Sequence, residues 1–142
     1  MQEIIETNIN EANFTEINLN KSNFKQVNLI GVDFTKANLQ KSCFEGVNLR
    51  EANFEGANLK DTNFKEANLK WANFRQTNLK GADLREANLI GIDLREADLT
   101  KADLEVANLT EANLRGAKLE GANLVGVNLE GAELNWANIK RN

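Results

Sequence analysis

Every fifth residue from Ile4 to Ile139 is Leu, Phe or Ile, 28 positions without an exception or an insertion. That period suits neither common element. At about 100° per residue, successive fifth residues on a helix lie ~140° apart and scatter around the cylinder, so no buried stripe forms. On a single strand every second one would face water, because side chains alternate with period two. The repeat belongs to a larger unit, in which the chain turns once per pentad and brings a large residue inward each time.

The other columns of the pentad show how it turns. Two residues before each centre stands mainly Ala (Ala12, Ala37, Ala52, Ala57), with Val, Ile, Ser or Thr elsewhere and only Gln2 large and polar. Small residues there imply a second inward position with little room. Immediately before the centre stands Asn or Asp in 24 of the 28 repeats, the exceptions being Glu3, Cys43, Lys118 and Glu133. Such side chains bond to nearby backbone, which suits a chain that keeps bending. All nine glycines, from Gly31 to Gly131, fall two residues after a centre. That column is a turn position with φ > 0, as a type II turn requires. Glu, Lys or Gln hold it elsewhere, so other turn types are expected to alternate with type II.

The number of corners per coil follows from the core residues. The centres Phe14, Phe24, Phe34, Phe44, Phe54, Phe64 and Phe74 alternate with Leu, a period of ten. An even number of pentads per coil then stacks like on like. Two would make a flat ribbon with no interior, whereas four make a square of twenty residues. Seven such coils, at the inter-strand spacing of ~4.8 Å, give a rod of about 34 Å.

Tandem A(D/N)LXX units such as ADLREANLIGIDLREADLTKADL at 82–104 resemble the pentapeptide repeat family. The resemblance covers essentially the whole chain. It implies an all-β fold, a right-handed quadrilateral β-helix (β-solenoid) of about seven coils of four pentapeptides, with the handedness taken from the resemblance alone. The chain resembles the short, uninterrupted members abundant in cyanobacteria, most of which have no established role and some of which act in developmental regulation.

No Pro-rich, Ser-rich or low-complexity linker interrupts the register, so a single solenoid domain over 1–142 is expected. No apolar run is long enough to cross a bilayer as a helix, and residues 1–16 carry four Glu and no Lys or Arg, unlike a signal peptide. The expected location is cytoplasmic. Cys43 is the one cysteine and reads as a substitute for Asn.

Little in the composition points to chemistry. His and Tyr are absent, and the two serines, Ser22 and Ser42, lie in the inward column, so nucleophile and base pairs lack members. Asp83 and Asp103, one coil apart, are the best carboxylate pair for a hard cation, but Arg85 sits beside them. The glycines at 116, 121, 126 and 131 lack the GK[ST] ending of a phosphate loop. The reading is a protein that is not an enzyme and needs no cofactor or metal.

Function then lies on the outer surface. A basic face gathers Lys21, Lys41, Lys60, Lys80, Lys101, Lys118, Lys140 and Arg141 against Asp61, Asp98 and Glu120, a net of +5. A neighbouring face gathers Glu3, Glu6, Glu45, Glu66, Asp83, Glu86, Asp103 and Glu105 against Lys25, Lys65 and Arg85, a net of −5. Arg75, Arg95 and Arg115 stack on a third, beside Asp93 and Glu96. The basic face lacks interleaved aromatics and the sequence pI is near 5.0, which disfavours nucleic acid.

The resemblance implies one alternative, because acidic dimeric members mimic DNA and bind DNA gyrase, a topoisomerase. B-DNA carries one charge per ~1.7 Å, so a 34 Å mimic would want about 20 net negative charges. This chain has −4. An unidentified protein partner is the stronger expectation, with Ile30, Trp71 and Ile90 as the interaction patch and Val106 with Val125 as a smaller apolar group. The first coil begins with polar Gln2 and Thr7. The last holds Val127, Leu129, Leu134, Trp136 and Ile139, and a homodimer through this C-terminal coil is expected, as in the gyrase-binding relatives.

Overall fold

The structure, a computed structural model, describes residues 9–139. The positions assigned above to Gln2, Glu3, Ile4, Glu6, Thr7, Lys140 and Arg141 lie outside the described residues. Parallel bridges join residues twenty apart throughout, from Asn13↔Asp33 to Lys118↔Asn138. Four ladders run along the rod, through Asn13, Asn18, Asn23 and Asn28, and each marks one side of a square coil. The coil of four pentads is therefore observed.

One pentad shows why this sequence accepts the fold. The Ala52 amide closes the preceding turn on Leu49 O at 3.0 Å, the Asn53 amide donates back one coil to Val32 O at 2.9 Å, and the Phe54 amide donates forward to Asn73 O at 2.7 Å. The Gly56 amide also donates forward, to Arg75 O at 3.0 Å. Only the Glu55 amide has no carbonyl within reach, and it donates to Asn53 Oδ1 at 3.0 Å. All five amides find acceptors, as a shape with so much half-buried backbone requires. That last bond is what the Asn/Asp column supplies, repeated from Thr15 on Asn13 to Glu130 on Asn128. It is missing where Cys43, Lys118 and Glu133 replace Asn or Asp.

The corners depart from the sequence expectation. Turn types do not alternate: every corner among the described residues takes φ > 0 at its second residue, at all nine glycines and also at Glu, Lys, Gln, Asp, Trp and Val. The geometry is that of a type II turn, with positive φ at the second central residue and the centre carbonyl accepting from the amide three residues on. At most non-glycine corners the amide also donates forward to the next coil, as Glu51 does to Lys70 O and Val106 to Val125 O, which helps hold these residues in this region; Gln26 and Trp136 adopt it without such a bond. Val106 (φ 61) is the extreme case, because a β-branched residue is crowded there.

Inside, centre residues stack along the axis. Phe14, Phe34, Phe54 and Phe74 form one column and Phe24, Phe44 and Phe64 the facing one, with rings edge-on across the core at 5.6–5.8 Å. Phe14 is only partly buried, while the other six are fully buried. From Leu84 onward all four columns hold leucine until Ile139. Ala, Val, Ile, Ser and Thr fill the inward corners; the Ser42 hydroxyl donates to Leu19 O at 3.0 Å and accepts from the Ser22 amide at 3.3 Å.

Candidate functional site

The corner after the Asn28 ladder carries Trp71, half exposed at 50% and held at φ 61. Its indole lies over Gly91 of the next coil, filling the space a Cβ there would need, with Nε1 2.8 Å from that position. Lys70 Nζ stands 4.4 Å from the ring centroid and Arg50 Cζ 5.8 Å, both within cation–π range. Neither cation has a carboxylate partner among the described residues. Ile90 follows in the next coil and is half-buried. Ile30, also half-buried, stands two coils before Lys70 with Arg50 between them, so it shares the corner but does not join Trp71. The site is thus an indole flanked by two cations, with Ile90 beside it.

Gly91 is a structural requirement of this site. Gly46 and Gly91 share positive φ, but nothing stands within 4 Å of a Cβ on Gly46. Gly46→Ala is expected to cost about 1–2 kcal/mol from backbone crowding alone. Gly91→Ala should cost more and shift tryptophan emission, because its methyl displaces the indole; urea unfolding and fluorescence of both variants check this.

The basic corner, after the Asn18 ladder, forms a cleft of about 320 Å³ lined by Lys60, Asp61, Lys80, Gly81, Thr100 and Lys101. The Asp61 carboxylate lies over Gly81, and Lys80 pairs with Asp98 at 3.7 Å. On the acidic corner, Arg85 takes both oxygens of Asp83 at 2.9 and 2.6 Å and reaches Asp103 at 4.0 Å. Asn123 donates to Asp103 at 3.1 Å, and Lys25 pairs with Glu45 at 3.9 Å. The carboxylate pair considered for a cation is therefore bridged by a guanidinium. Val106 and Val125 stand exposed on the same corner.

Burial pushes the carboxyls of Asp83, Asp93 and Asp98 up, but other contacts hold each below the ordinary range. Hydrogen bonds from the side chain and amide of Arg85 lower Asp83, those of Arg95 lower Asp93, and those of Thr100 lower Asp98. A folded-state pKa below the unfolded ~3.9 gives stability that is complete above the unfolded value and is lost as pH falls from there through the lower folded value. Unfolding midpoints should therefore stay level from about pH 7 to 5 and fall below about pH 4, with a shallower fall in the Asp83→Asn/Asp93→Asn variant.

The last described coil differs from the coils before it. Val127, Leu129 and Leu134 are half-buried and Ile139 is exposed. Trp136, in the same coil, is 87% exposed and lines a groove with Arg75, Arg95, Glu96, Arg115 and Gly116. The arginine stack was visible in the sequence. Its groove was not: the twenty-residue register puts 136 after 116, but the cleft depends on how the side chains of Glu96 and Trp136 lie around Gly116.

Among the described residues no helix is long and apolar enough to cross a membrane, and no cluster of His, Cys, Asp or Glu could hold a metal ion. No curated protein matches the sequence. The pentapeptide repeat region family matches residues 5–74, and the family of pentapeptide repeats (8 copies) matches 77–105 and 107–141. Among solved structures, a pentapeptide repeat protein of the Arabidopsis thaliana thylakoid lumen is 33% identical with a TM-score of 0.64. The match covers 65% of this chain and 64% of that one, so the chain spans less than two thirds of that protein's length. A pentapeptide repeat protein from Nostoc PCC 7120 is 39% identical over 56% of this chain and 65% of its own, with a TM-score of 0.55. QnrB1, a plasmid-mediated fluoroquinolone resistance protein, shares the fold at 16% identity and a TM-score of 0.52, over 99% of this chain and 92% of its own. With the period of five, the four-sided coil and the positive-φ corners, these matches establish that the chain belongs to the pentapeptide repeat family and folds as its right-handed quadrilateral β-helix.

Proposed function

We propose that the protein is a non-enzymatic, rigid scaffold that binds another protein through the Trp71 corner. The observation that carries this reading is the indole itself. A large aromatic occupies a corner where nine others use Gly, stays half exposed, and is oriented by Gly91, Lys70 and Arg50. A pre-positioned aromatic beside unpaired cations has the composition of a binding hot spot. The half-buried ring of the last described coil supports a second, narrower reading, pairing of two copies there. A monomeric mass at high concentration contradicts that pairing and leaves the Trp71 reading untouched.

DNA mimicry directed at gyrase is the competing reading. The acidic corner weakens it, since Arg85 holds Asp83 and Asp103 and Lys25 holds Glu45, which reduces a field already limited by the net charge of −4. A gyrase supercoiling assay distinguishes the two. The scaffold reading predicts no inhibition at high protein concentration; inhibition at low micromolar concentration would assign the function to the acidic corner.

A further inference from the structure

The corner after the Asn13 ladder carries Arg75, Arg95 and Arg115 in three consecutive coils, lining a groove of about 330 Å³. Gly116 contributes no side chain, so the wall there is formed by Glu96, whose Cγ lies 3.4 Å from where a Cβ would stand. Trp136 lines the C-terminal end and is the most exposed large apolar side chain described.

The three guanidinium groups are not equivalent. Arg95 is spent on Asp93, with bonds of 2.9 and 2.6 Å. Arg75 and Arg115 have no ion-pair partner among the described residues, and Arg75 Nε is buried with no acceptor. A buried donor without an acceptor is costly, and guanidinium groups favour two-pronged contacts with carboxylates or phosphates. Two guanidinium groups without an ion-pair partner, the exposed Arg115 and the partly buried Arg75, thus stand two coils apart, about 10 Å by strand spacing, on either side of a neutralised pair. An exposed indole lies at one end.

We infer that this groove binds an acidic, partly apolar segment of a partner protein. Separate carboxylates are taken by Arg75 and Arg115, and a neighbouring apolar side chain packs on Trp136. The groove is open along the rod and does not enclose a ligand as a small-molecule pocket does, so its ligand is part of a larger body. A continuous phosphate backbone fits less well, because it would run past Glu96 and the Asp93 and Glu133 carboxylates that act on Arg95. Carboxylates spaced along a peptide can avoid them.

The test is an NMR titration of the full, isotope-labelled chain with a blocked peptide of alternating glutamate and leucine. The expected result is a saturable shift of the Trp136 indole N–H and the Arg75 and Arg115 Nε–H signals, with the Trp71 indole signal unmoved. Arg115→Gln should weaken binding by at least about tenfold, and Arg115→Lys by less, because lysine keeps the charge but lacks the fork. Both variants replace an exposed side chain, and an unchanged amide spectrum elsewhere confirms their fold. The inference is overturned if those signals do not move at millimolar peptide, if the glutamine counterpart binds equally, or if Arg115→Gln binds like the wild type. Tighter binding of pyrophosphate or a single-stranded oligonucleotide assigns the groove to phosphates and also overturns it. Movement of the Trp71 signal alone overturns it while leaving the Trp71 reading intact.

Discussion

Phe54→Ala is expected to remove about 3–5 kcal/mol of stability, the range for truncating a large buried aromatic. Phe54 is fully buried, and the rings of Phe34, Phe44, Phe64 and Phe74 surround it with centroids at 5.2, 5.8, 5.8 and 4.6 Å. The backbone around it is fixed by bonds to the coils on both sides, so the cavity cannot close by a local shift. Phe54→Leu should cost far less, about 1 kcal/mol, because the same column holds Leu94 and Leu114 two and three coils further on. Guanidinium unfolding of the three proteins measures this. Similar losses for Ala and Leu would mean that the aromatic stack contributes beyond its volume.

A single alanine inserted between Gln76 and Thr77 should have a still larger effect. It moves every later centre residue out of the inward column and carries Asn or Asp toward the core, so the C-terminal coils lose their register. Deleting 60–79, by contrast, removes one coil and joins Leu59 to Lys80 with every column preserved. Solenoid stability is approximately a sum over coils and their interfaces, so the deletion should fold with a lower melting temperature. Circular dichroism on heating separates the cases: one cooperative transition for the deletion, and loss or splitting of the transition for the insertion.

The sequence made the scaffold legible because a solenoid repeats one local environment. Period five located the centre column, the Phe and Leu alternation located the twenty-residue coil, and Ala, Ser and Thr marked the crowded inward position. The corners were harder to read, since Glu11, Lys36 or Trp71 at a corner does not look like a positive-φ residue. Bonds to the next coil support that conformation at most corners, and they belong to no single pentad. The Asn column reads from the sequence as a bending device; its specific task, accepting the one amide that the ladders leave unpaired, depends on which amides the ladders use.

Candidate sites were legible as residues on a side and by coil. The twenty-residue period puts Trp71 and Ile90 in adjacent coils and the coil of Arg50 between Ile30 and Lys70, but not the contacts of the indole with Lys70, Arg50 and Gly91. Trp136 belongs to the arginine groove because its corner follows Gly116. Arg85 could have paired with Asp83, Glu66 or Asp103; the choice depends on side-chain geometry, which periodicity does not encode.

Capture from a lysate of the cells that encode the protein tests the central claim most directly, with wild type, Trp71→Ala and Lys41→Ala as baits and quantitative mass spectrometry as the readout. The account predicts at least one protein retained by wild type and Lys41→Ala and reduced by at least about tenfold with Trp71→Ala, as loss of a hot-spot aromatic implies. Identical captured sets for wild type and Trp71→Ala would contradict it.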